Sequence, residues 1–140
     1  MQRHPLIYFG PSSLHRRGVM TAGAIGAGSV IEICPMLVLS TSQLERIHHS
    51  ELHDYYFLWG EGQDQPAIAL GYGSLYNHSP HPNATFSFDY QDETMLITSI
   101  RDIQEGEEIT LNYHEGLQQE AVWFSVNAQS STTASDTLND

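Results

Sequence analysis

Polar and apolar residues alternate over much of this chain, which predicts β-strands rather than long helices. The alternation is clearest over residues 83–90, which place Phe86, Phe88 and Tyr90 on one side of a strand. Polar residues then turn the chain, and an apolar stretch over residues 94–100 returns it. We therefore predict a β-hairpin here.

Other apolar segments predict further short strands. Residues 6–9 form the first, and residues 29–39 are rich in β-branched side chains, which predicts one strand broken at Pro35 or two short strands. Residues 41–48 begin with hydroxyl and polar side chains and fit a short helix. The pattern as a whole predicts a mostly β fold with one or two short helices.

The length of 140 residues suits a single domain that buries its own core. We expect residues 1–125 to form that domain, with its core over about residues 16–116, and residues 126–140 to be a disordered polar tail. Cys34 is the only cysteine, which excludes an internal disulfide and a multi-cysteine zinc site. The sequence shows neither an apolar run of about 20 residues nor a signal-peptide core, so we expect a soluble intracellular protein.

The formal net charge is −12, with five arginines and no lysine. A surface of this sign repels nucleic acid, so no direct nucleic-acid binding is expected. It attracts basic partners and speeds their association. The simpler alternative is that the acidity only keeps the protein in solution.

Three histidines near the predicted helix raise the possibility of a metal site. His49 and His53 are four residues apart, as two ligands on one helical face would be, and His48 lies beside them. A third ligand at a matching spacing is not evident in the sequence. We therefore expect solvated histidines and no metal.

Two polar motifs interrupt the apolar pattern. The first is Tyr72-Gly-Ser-Leu-Tyr-Asn-His-Ser-Pro-His-Pro-Asn83, which contains too many turn formers for the interior of a strand or helix. The second is Gly106-Glu-Glu-Ile-Thr-Leu-Asn-Tyr113, a turn followed by a short strand with alternate residues on one face. Polar groups set in apolar sequence need partners, because burying one unpaired costs about 1–3 kcal/mol. The first motif by itself could be a loop that bonds to its own backbone.

Taken together, the two motifs resemble the signature motifs of the SET-domain protein lysine methyltransferases in content, order and separation. The resemblance runs from about Arg16 to Tyr113 and is closest to minimal stand-alone SET proteins of viral and bacterial type, which share an approach like Ala69-Leu-Gly-Tyr-Gly73. It implies a SET fold of small curved β-sheets with a C-terminal pseudoknot. That fold would bring Asn77 and His78 beside Tyr113.

The resemblance also implies S-adenosyl-L-methionine as the cofactor, S-adenosyl-L-homocysteine as its product, and Tyr113 as the catalytic residue. Gly18 is expected to supply conformational freedom, whereas Arg16 stands where the family has the first glycine of a Gly-x-Gly segment. Trp123 and Phe124 could cover the cofactor in place of the absent three-cysteine module, or they could only anchor the chain end on the core. The cofactor-binding positions implied are Arg16, Arg17, Gly18, Val19, Asn77, His78, Tyr113, Trp123 and Phe124.

For the substrate side, the resemblance implies a lysine channel lined by Tyr55, Tyr72 and Leu111. The target would be a lysine of a basic partner, a histone or histone-like protein, and it must belong to another molecule because this chain has none. Such a protein would act in the cytoplasm or in a nucleus, as a monomer or homodimer.

An alternative to an enzyme is a catalytically weak or inactive SET fold that binds a basic tail. Pro80 replaces the cysteine usual in the first motif, and the Gly-x-Gly segment is incomplete. A histidine metal protein with an accidental SET likeness is the third possibility.

Overall fold

The computed structural model describes residues 2–114, which form short strands and one short α-helix. The strands are β1 (Ile7–Pro11), β2 (Arg17–Thr21), β3 (Val30–Val38), β4 (Tyr56–Trp59), β5 (Gln65–Ala69), β6 (Asn77–His78), β7 (Ala84–Asp89), β8 (Thr94–Ser99) and β9 (Glu108–Leu111). The α-helix is α1 (Leu44–His48), and 3₁₀ turns occupy Thr41–Gln43, Glu51–Asp54 and Gly73–Leu75. The predicted mostly β fold is confirmed.

The strands form two sheets, with the orders β1-β2-β9-β6 and β4-β5-β3-β8-β7. In the second sheet, β7 and β8 pair antiparallel from Ala84 opposite Ser99 to Asp89 opposite Thr94. This is the predicted hairpin. Phe86, Phe88 and Tyr90 follow one another along one side of it, with ring centroids 5.6 and 6.2 Å apart.

Strand β3 is continuous, so the predicted break at Pro35 is wrong. The strand changes partner at this point: Val30–Pro35 pairs with β8, and Met36–Val38 pairs with β5 on its other side. Proline lacks an N–H, but its carbonyl still accepts a hydrogen bond from the backbone N–H of Leu70 at 2.9 Å. A proline is tolerated where one ladder ends and another begins, because little pairing is lost there.

Both sheets contribute to one hydrophobic core. Its members with no exposed surface are Val19, Ile31, Cys34, Ala67, Ala84, Met95, Ile97, Ile103, Ile109 and Leu111. Strand β9 supplies two of these side chains and is hydrogen-bonded on both edges, antiparallel to β2 and parallel to β6. Among the helices of residues 2–114, none has the length and apolar character needed to cross a bilayer.

Candidate functional site

The pairing of β6 with β9 brings the two polar motifs together. Asn77 lies opposite Thr110 and His78 opposite Leu111, and the chain then continues to Tyr113. The backbone N–H of Tyr113 donates to His78 Nδ1 at 3.1 Å, and the two rings lie 5.2 Å apart. The expected meeting of Asn77 and His78 with Tyr113 is therefore observed.

The Tyr113 hydroxyl donates to the backbone carbonyl of Tyr76, the residue directly before β6. Its ring lies edge-on to Phe57 at 6.2 Å between centroids. Burial raises the pKa of Tyr113 well above its usual value, and the nearby Asp54 and Glu108 carboxylates raise it further. The phenol is therefore a neutral donor at ordinary pH and does not act as a base.

Acceptors surround the side-chain amide of Asn77. Within 3.3 Å of its Nδ2 lie the hydroxyl of Ser12, the carbonyls of His15 and Arg17, and the carboxylate of Glu108, the last at 2.7 Å. An amide nitrogen has only two hydrogens, so it cannot satisfy four acceptors fully. The Ser12 hydroxyl donates to Glu108 Oε1 at 2.7 Å, so the capacity that remains for a further donor lies on the two carbonyls and the carboxylate.

Gly18 lies directly against this cluster. A Cβ added to it would sit 2.1 Å from Glu108 Oε2 and 2.9 Å from Asn77 Nδ2. The backbone of Gly18 does not have a positive φ. The expected role in conformational freedom is therefore wrong, and the glycine is needed because it lets β2 approach the carboxylate and the amide closely.

Replacing Gly18 by alanine is expected to destabilise the fold by about 1–3 kcal/mol, since the added methyl displaces the Glu108 carboxylate from Asn77. Gly10→Ala is the matched control: Gly10 is the strand partner of Gly18, and a Cβ there meets its nearest neighbour at 3.7 Å. Urea unfolding of both variants makes the comparison. Equal stabilities would contradict the packing argument.

The other residues expected around the start of β2 have different surroundings. Arg16 and Arg17 are exposed, and Arg17 faces the cluster only through its carbonyl. Val19 is fully buried in the core. Arg16 has φ +44°, a left-handed conformation that favours glycine, at the position where the family has its first glycine.

The three residues expected in the channel lie in different places. Tyr55 is half-buried near Tyr113, and its carbonyl accepts from the Ser74 hydroxyl at 2.8 Å. Leu111 is fully buried on β9. The Tyr72 ring instead packs under the Arg3 guanidinium, 4.0 Å away, so the structure does not bring it into ring contact with Tyr113 as it does Phe57. Trp123 and Phe124 lie outside the described residues.

One residue of the first motif has a role that the sequence reasoning missed. Asn83 is only 2% exposed, and its side chain bonds to strand β9 twice. Its Nδ2 donates to the carbonyl of Glu108 at 2.8 Å, and its Oδ1 accepts from the N–H of Thr110 at 2.9 Å. The sequence offered one signal for this role: Asn83 is the final polar residue of the motif and directly follows Pro82, where a polar side chain needs a partner.

His78, the first of the two histidines in the first motif, is expected to make this region sensitive to pH. Burial, and secondarily His114, lower the pKa of His78 from 6.5 to about 4. Because the unfolded chain binds a proton at His78 more readily than the folded chain does, this residue's contribution to stability is complete above about pH 6.5. That contribution is lost as the pH falls through about 4.

We expect His78→Asn to reduce the loss of stability between pH 7 and pH 4, because asparagine can accept a hydrogen bond without titrating. The free energy of unfolding measured by urea at a series of pH values tests this. His81→Asn, at an exposed position of the same motif, is the control. A pH dependence identical to that of the wild type in His78→Asn would contradict the assignment.

The histidines near α1 form a surface cluster. The helical face proposed for His49 and His53 does not exist, since α1 ends at His48 and His53 lies in a separate 3₁₀ turn. The His48 ring lies 4.5 Å from that of His53, and its Nδ1 is 2.8 Å from the Tyr56 hydroxyl. Across residues 2–114, no group of three or more His, Cys, Asp or Glu side chains is arranged to hold a metal ion.

An open groove of about 520 Å³ lies elsewhere, along β3, β7 and β8. Its lining includes Ile33, Phe88 and Leu96 and none of the motif side chains around Tyr113. The polar site at β6 and β9 is therefore distinct from this groove.

Comparison with known proteins agrees with the geometry. The SET domain family matches residues 16–114. The histone-lysine N-methyltransferase, H3 lysine-37 specific, of Schizosaccharomyces pombe is 32% identical over 120 residues, covering 85% of this chain and 77% of that protein.

Two solved structures show the same fold. A candidate histone methyltransferase of Plasmodium falciparum is 33% identical, with a TM-score of 0.64, covering 82% of this chain and 96% of that one. The Polycomb Repressive Complex 2 of Chaetomium thermophilum, bound to S-adenosylmethionine, has a TM-score of 0.67 at 22% identity and covers 87% of this chain and 17% of that one. The resemblance seen in the two motifs is thus confirmed, and this chain belongs to the SET-domain family.

Proposed function

We propose that this protein is an S-adenosyl-L-methionine-dependent protein-lysine N-methyltransferase that acts on a basic protein, a histone or histone-like partner. The observation that carries the proposal is the parallel pairing of β6 with β9, which sets Tyr113 against His78. The S. pombe relative, named for lysine 37 of histone H3, supports the same activity and substrate class.

The residues around Asn77 fit such a cofactor. The carbonyls of His15 and Arg17 and the Glu108 carboxylate offer more lone pairs than one amide can satisfy, and they suit a cationic donor such as an α-ammonium group. Arg16, Arg17, Gly18 and Val19 would contribute mainly through their backbone, and His78 and Tyr113 would border the same space. When bound, the cofactor supplies an electrophilic methyl group on a sulfonium.

Tyr113 would orient the lysine amine. Its neutral hydroxyl donates its one proton to the Tyr76 carbonyl, so its oxygen would accept from an amine N–H, which suits positioning rather than proton removal. Holding two reactants in line can supply up to about 7–11 kcal/mol of rate acceleration.

The aromatic surroundings would help the lysine lose its proton. The Phe57 ring lies edge-on to that of Tyr113, and Tyr55 lies near Tyr113. Desolvation beside such rings would disfavour the charged ammonium of a lysine. Leu111, an aliphatic residue two positions before Tyr113, would leave room for more than one methyl group. A channel role for Tyr72 stays a prediction.

The charge of the protein supports a basic substrate. A net charge of −12 attracts a lysine-rich tail, and the absence of lysine from the chain requires the acceptor to be another molecule. An enzyme that methylates only lysine cannot label its own side chains here, because the chain has no lysine. Label on the enzyme itself would therefore show that the activity is not specific for lysine.

Methyl transfer from labelled S-adenosyl-L-methionine to purified histones and other basic proteins tests the proposal. Label is expected on a lysine of a histone and not on the enzyme. A substrate tail with its lysines replaced by arginine is the control. Label that remains on the arginine tail would contradict lysine specificity.

The alternative of a binding module is favoured by Arg16, which places an exposed side chain at the position of a family glycine. Calorimetric titration with S-adenosyl-L-homocysteine and with the histone tail separates the two functions. Tail binding without cofactor binding or methyl transfer would favour the module.

A further inference from the structure

A buried carboxylate lies behind the proposed active site. Glu32, on β3, is 2% exposed. Its Oε1 accepts from the hydroxyl of Tyr76 at 2.7 Å, and its Oε2 accepts from the backbone N–H of Tyr72 at 3.1 Å and from Nε of Arg3 at 3.3 Å. Burying a carboxylate is costly unless its oxygens are paired in this way. Glu32 thus connects β3 with two other parts of the chain: the N-terminal arm, which is the segment before β1 that contains Arg3, and the segment from Tyr72 to Tyr76 that leads into β6.

Tyr76 connects this carboxylate to Tyr113. The Tyr76 side chain is 1% exposed and ends on Glu32, whereas its backbone carbonyl receives the Tyr113 hydroxyl. The residue is therefore held at both ends. A shift of Tyr76 would move the acceptor of the proposed catalytic hydroxyl and also Asn77, which follows directly.

The backbone before Tyr76 is shaped to reach Glu32. Gly71 has φ +65°, and a Cβ added there would lie 2.4 Å from Glu32 Oε2 and 3.3 Å from Arg3 Nη2. A glycine at this position lets the N–H of Tyr72 reach the carboxylate. The docking of this segment on Glu32 therefore depends on local sequence as well as on the buried charge.

Arg3 supplies the counter-charge from outside the part of the chain that matches the SET family. Its Nε contacts Glu32, its guanidinium lies 4.0 Å from the centre of the Tyr72 ring, and its backbone forms a bridge with that of Glu32. The N-terminal arm is thereby tied to the segment that leads into β6.

We propose that Glu32 is a positioning residue for methyl transfer: its carboxylate, neutralised by Arg3, holds Tyr76 so that the Tyr76 carbonyl orients the Tyr113 hydroxyl. This inference rests on the proposed function. Releasing the hydroxyl end of Tyr76 frees its carbonyl to move, which misaligns Tyr113 without removing any group that contacts the reactants.

Tyr76→Phe is the sharpest variant, because it removes one hydroxyl and leaves the backbone carbonyl in the chain. We expect kcat to fall about 10-fold while KM for cofactor and substrate changes little, since loss of alignment affects the chemical step. Glu32→Gln, which keeps the shape and removes the charge, is expected to act in the same direction. Tyr56→Phe is the matched control, because the Tyr56 hydroxyl is also bonded to a side chain, that of His48.

Two further measurements distinguish positioning from a loss of stability. In a Tyr113→Phe background, Tyr76→Phe is expected to have little additional effect on the rate, because the group being positioned is gone. In protein labelled with ¹³C at tyrosine Cζ, the Tyr113 resonance is expected to shift in Tyr76→Phe and to stay in place in Tyr56→Phe.

An unchanged kcat and an unchanged Tyr113 resonance in Tyr76→Phe would overturn the inference. It would also be overturned if Tyr76→Phe lowered the rate by the same factor in the wild-type protein and in the Tyr113→Phe variant. If the wild-type protein transfers no methyl group, the proposed function fails. In that case the resonance alone decides whether Glu32 controls the position of Tyr113.

Discussion

Tyr113→Phe is expected to lower the rate of methyl transfer by about 100-fold or more while the chain stays folded. The substitution removes a neutral donor whose hydroxyl is held by the Tyr76 carbonyl. It keeps the ring, which contacts Phe57 and His78 at centroid distances of 6.2 and 5.2 Å. The loss should therefore appear in the rate rather than in the structure, with a cost in stability of only about 1 kcal/mol.

Single-turnover transfer of labelled methyl to the histone that the wild type modifies measures this effect. Calorimetry with S-adenosyl-L-homocysteine checks that the variant still binds the cofactor product. Tyr8→Phe, an exposed tyrosine on β1, is the control for removal of a phenol as such. Transfer by Tyr113→Phe at close to the wild-type rate would rule out the role proposed for this hydroxyl.

Asn83→Ala is expected to destabilise the fold by about 2–4 kcal/mol, the largest effect on stability among the substitutions considered. The side chain satisfies two backbone groups of β9, the carbonyl of Glu108 and the N–H of Thr110. Alanine leaves both without this partner in a place where Asn83 is 2% and Thr110 7% exposed. Water has little access there to replace the lost bonds.

The matched control is Asn112→Ala. Asn112 also uses its Oδ1 to accept a backbone N–H, from His114 at 2.9 Å, but this bond is exposed to solvent. Its loss is expected to cost less than about 1 kcal/mol, since water can take over the bond. Urea unfolding of both variants gives the comparison, and equal effects would show that Asn83 does not clamp β9.

Together these two predictions describe strand β9 as the element on which the site depends. It is paired on both edges, anchored by Asn83, and followed within two residues by Tyr113. A loosened β9 would move Tyr113 away from His78. We therefore expect Asn83→Ala to impair methyl transfer even at temperatures where the variant is folded.

The site residues divide into those that a pattern can reveal and those that it cannot. The two motifs pointed to Asn77, His78 and Tyr113 through their resemblance to the SET family, since the polar groups by themselves could also have belonged to a loop bonded to its own backbone. Glu32 gave no such signal, as a single acidic residue in an apolar strand. Its role depends on Tyr72, Tyr76 and Arg3, whose convergence on one carboxylate is a matter of three-dimensional arrangement.

The sequence by itself determined the mostly β fold, the hairpin of β7 and β8, and the family, since these follow from local alternation and from two motifs of fixed spacing. Only the tertiary structure decided why Gly18 is a glycine, how β3 passes through Pro35, and where the Tyr72 ring packs. Each of these depends on which atoms come close from distant parts of the chain. Local sequence patterns predict the conformation of a segment. The close approach of two backbones, and the point at which a strand changes its pairing partner, depend on the distant residues that pack against that segment.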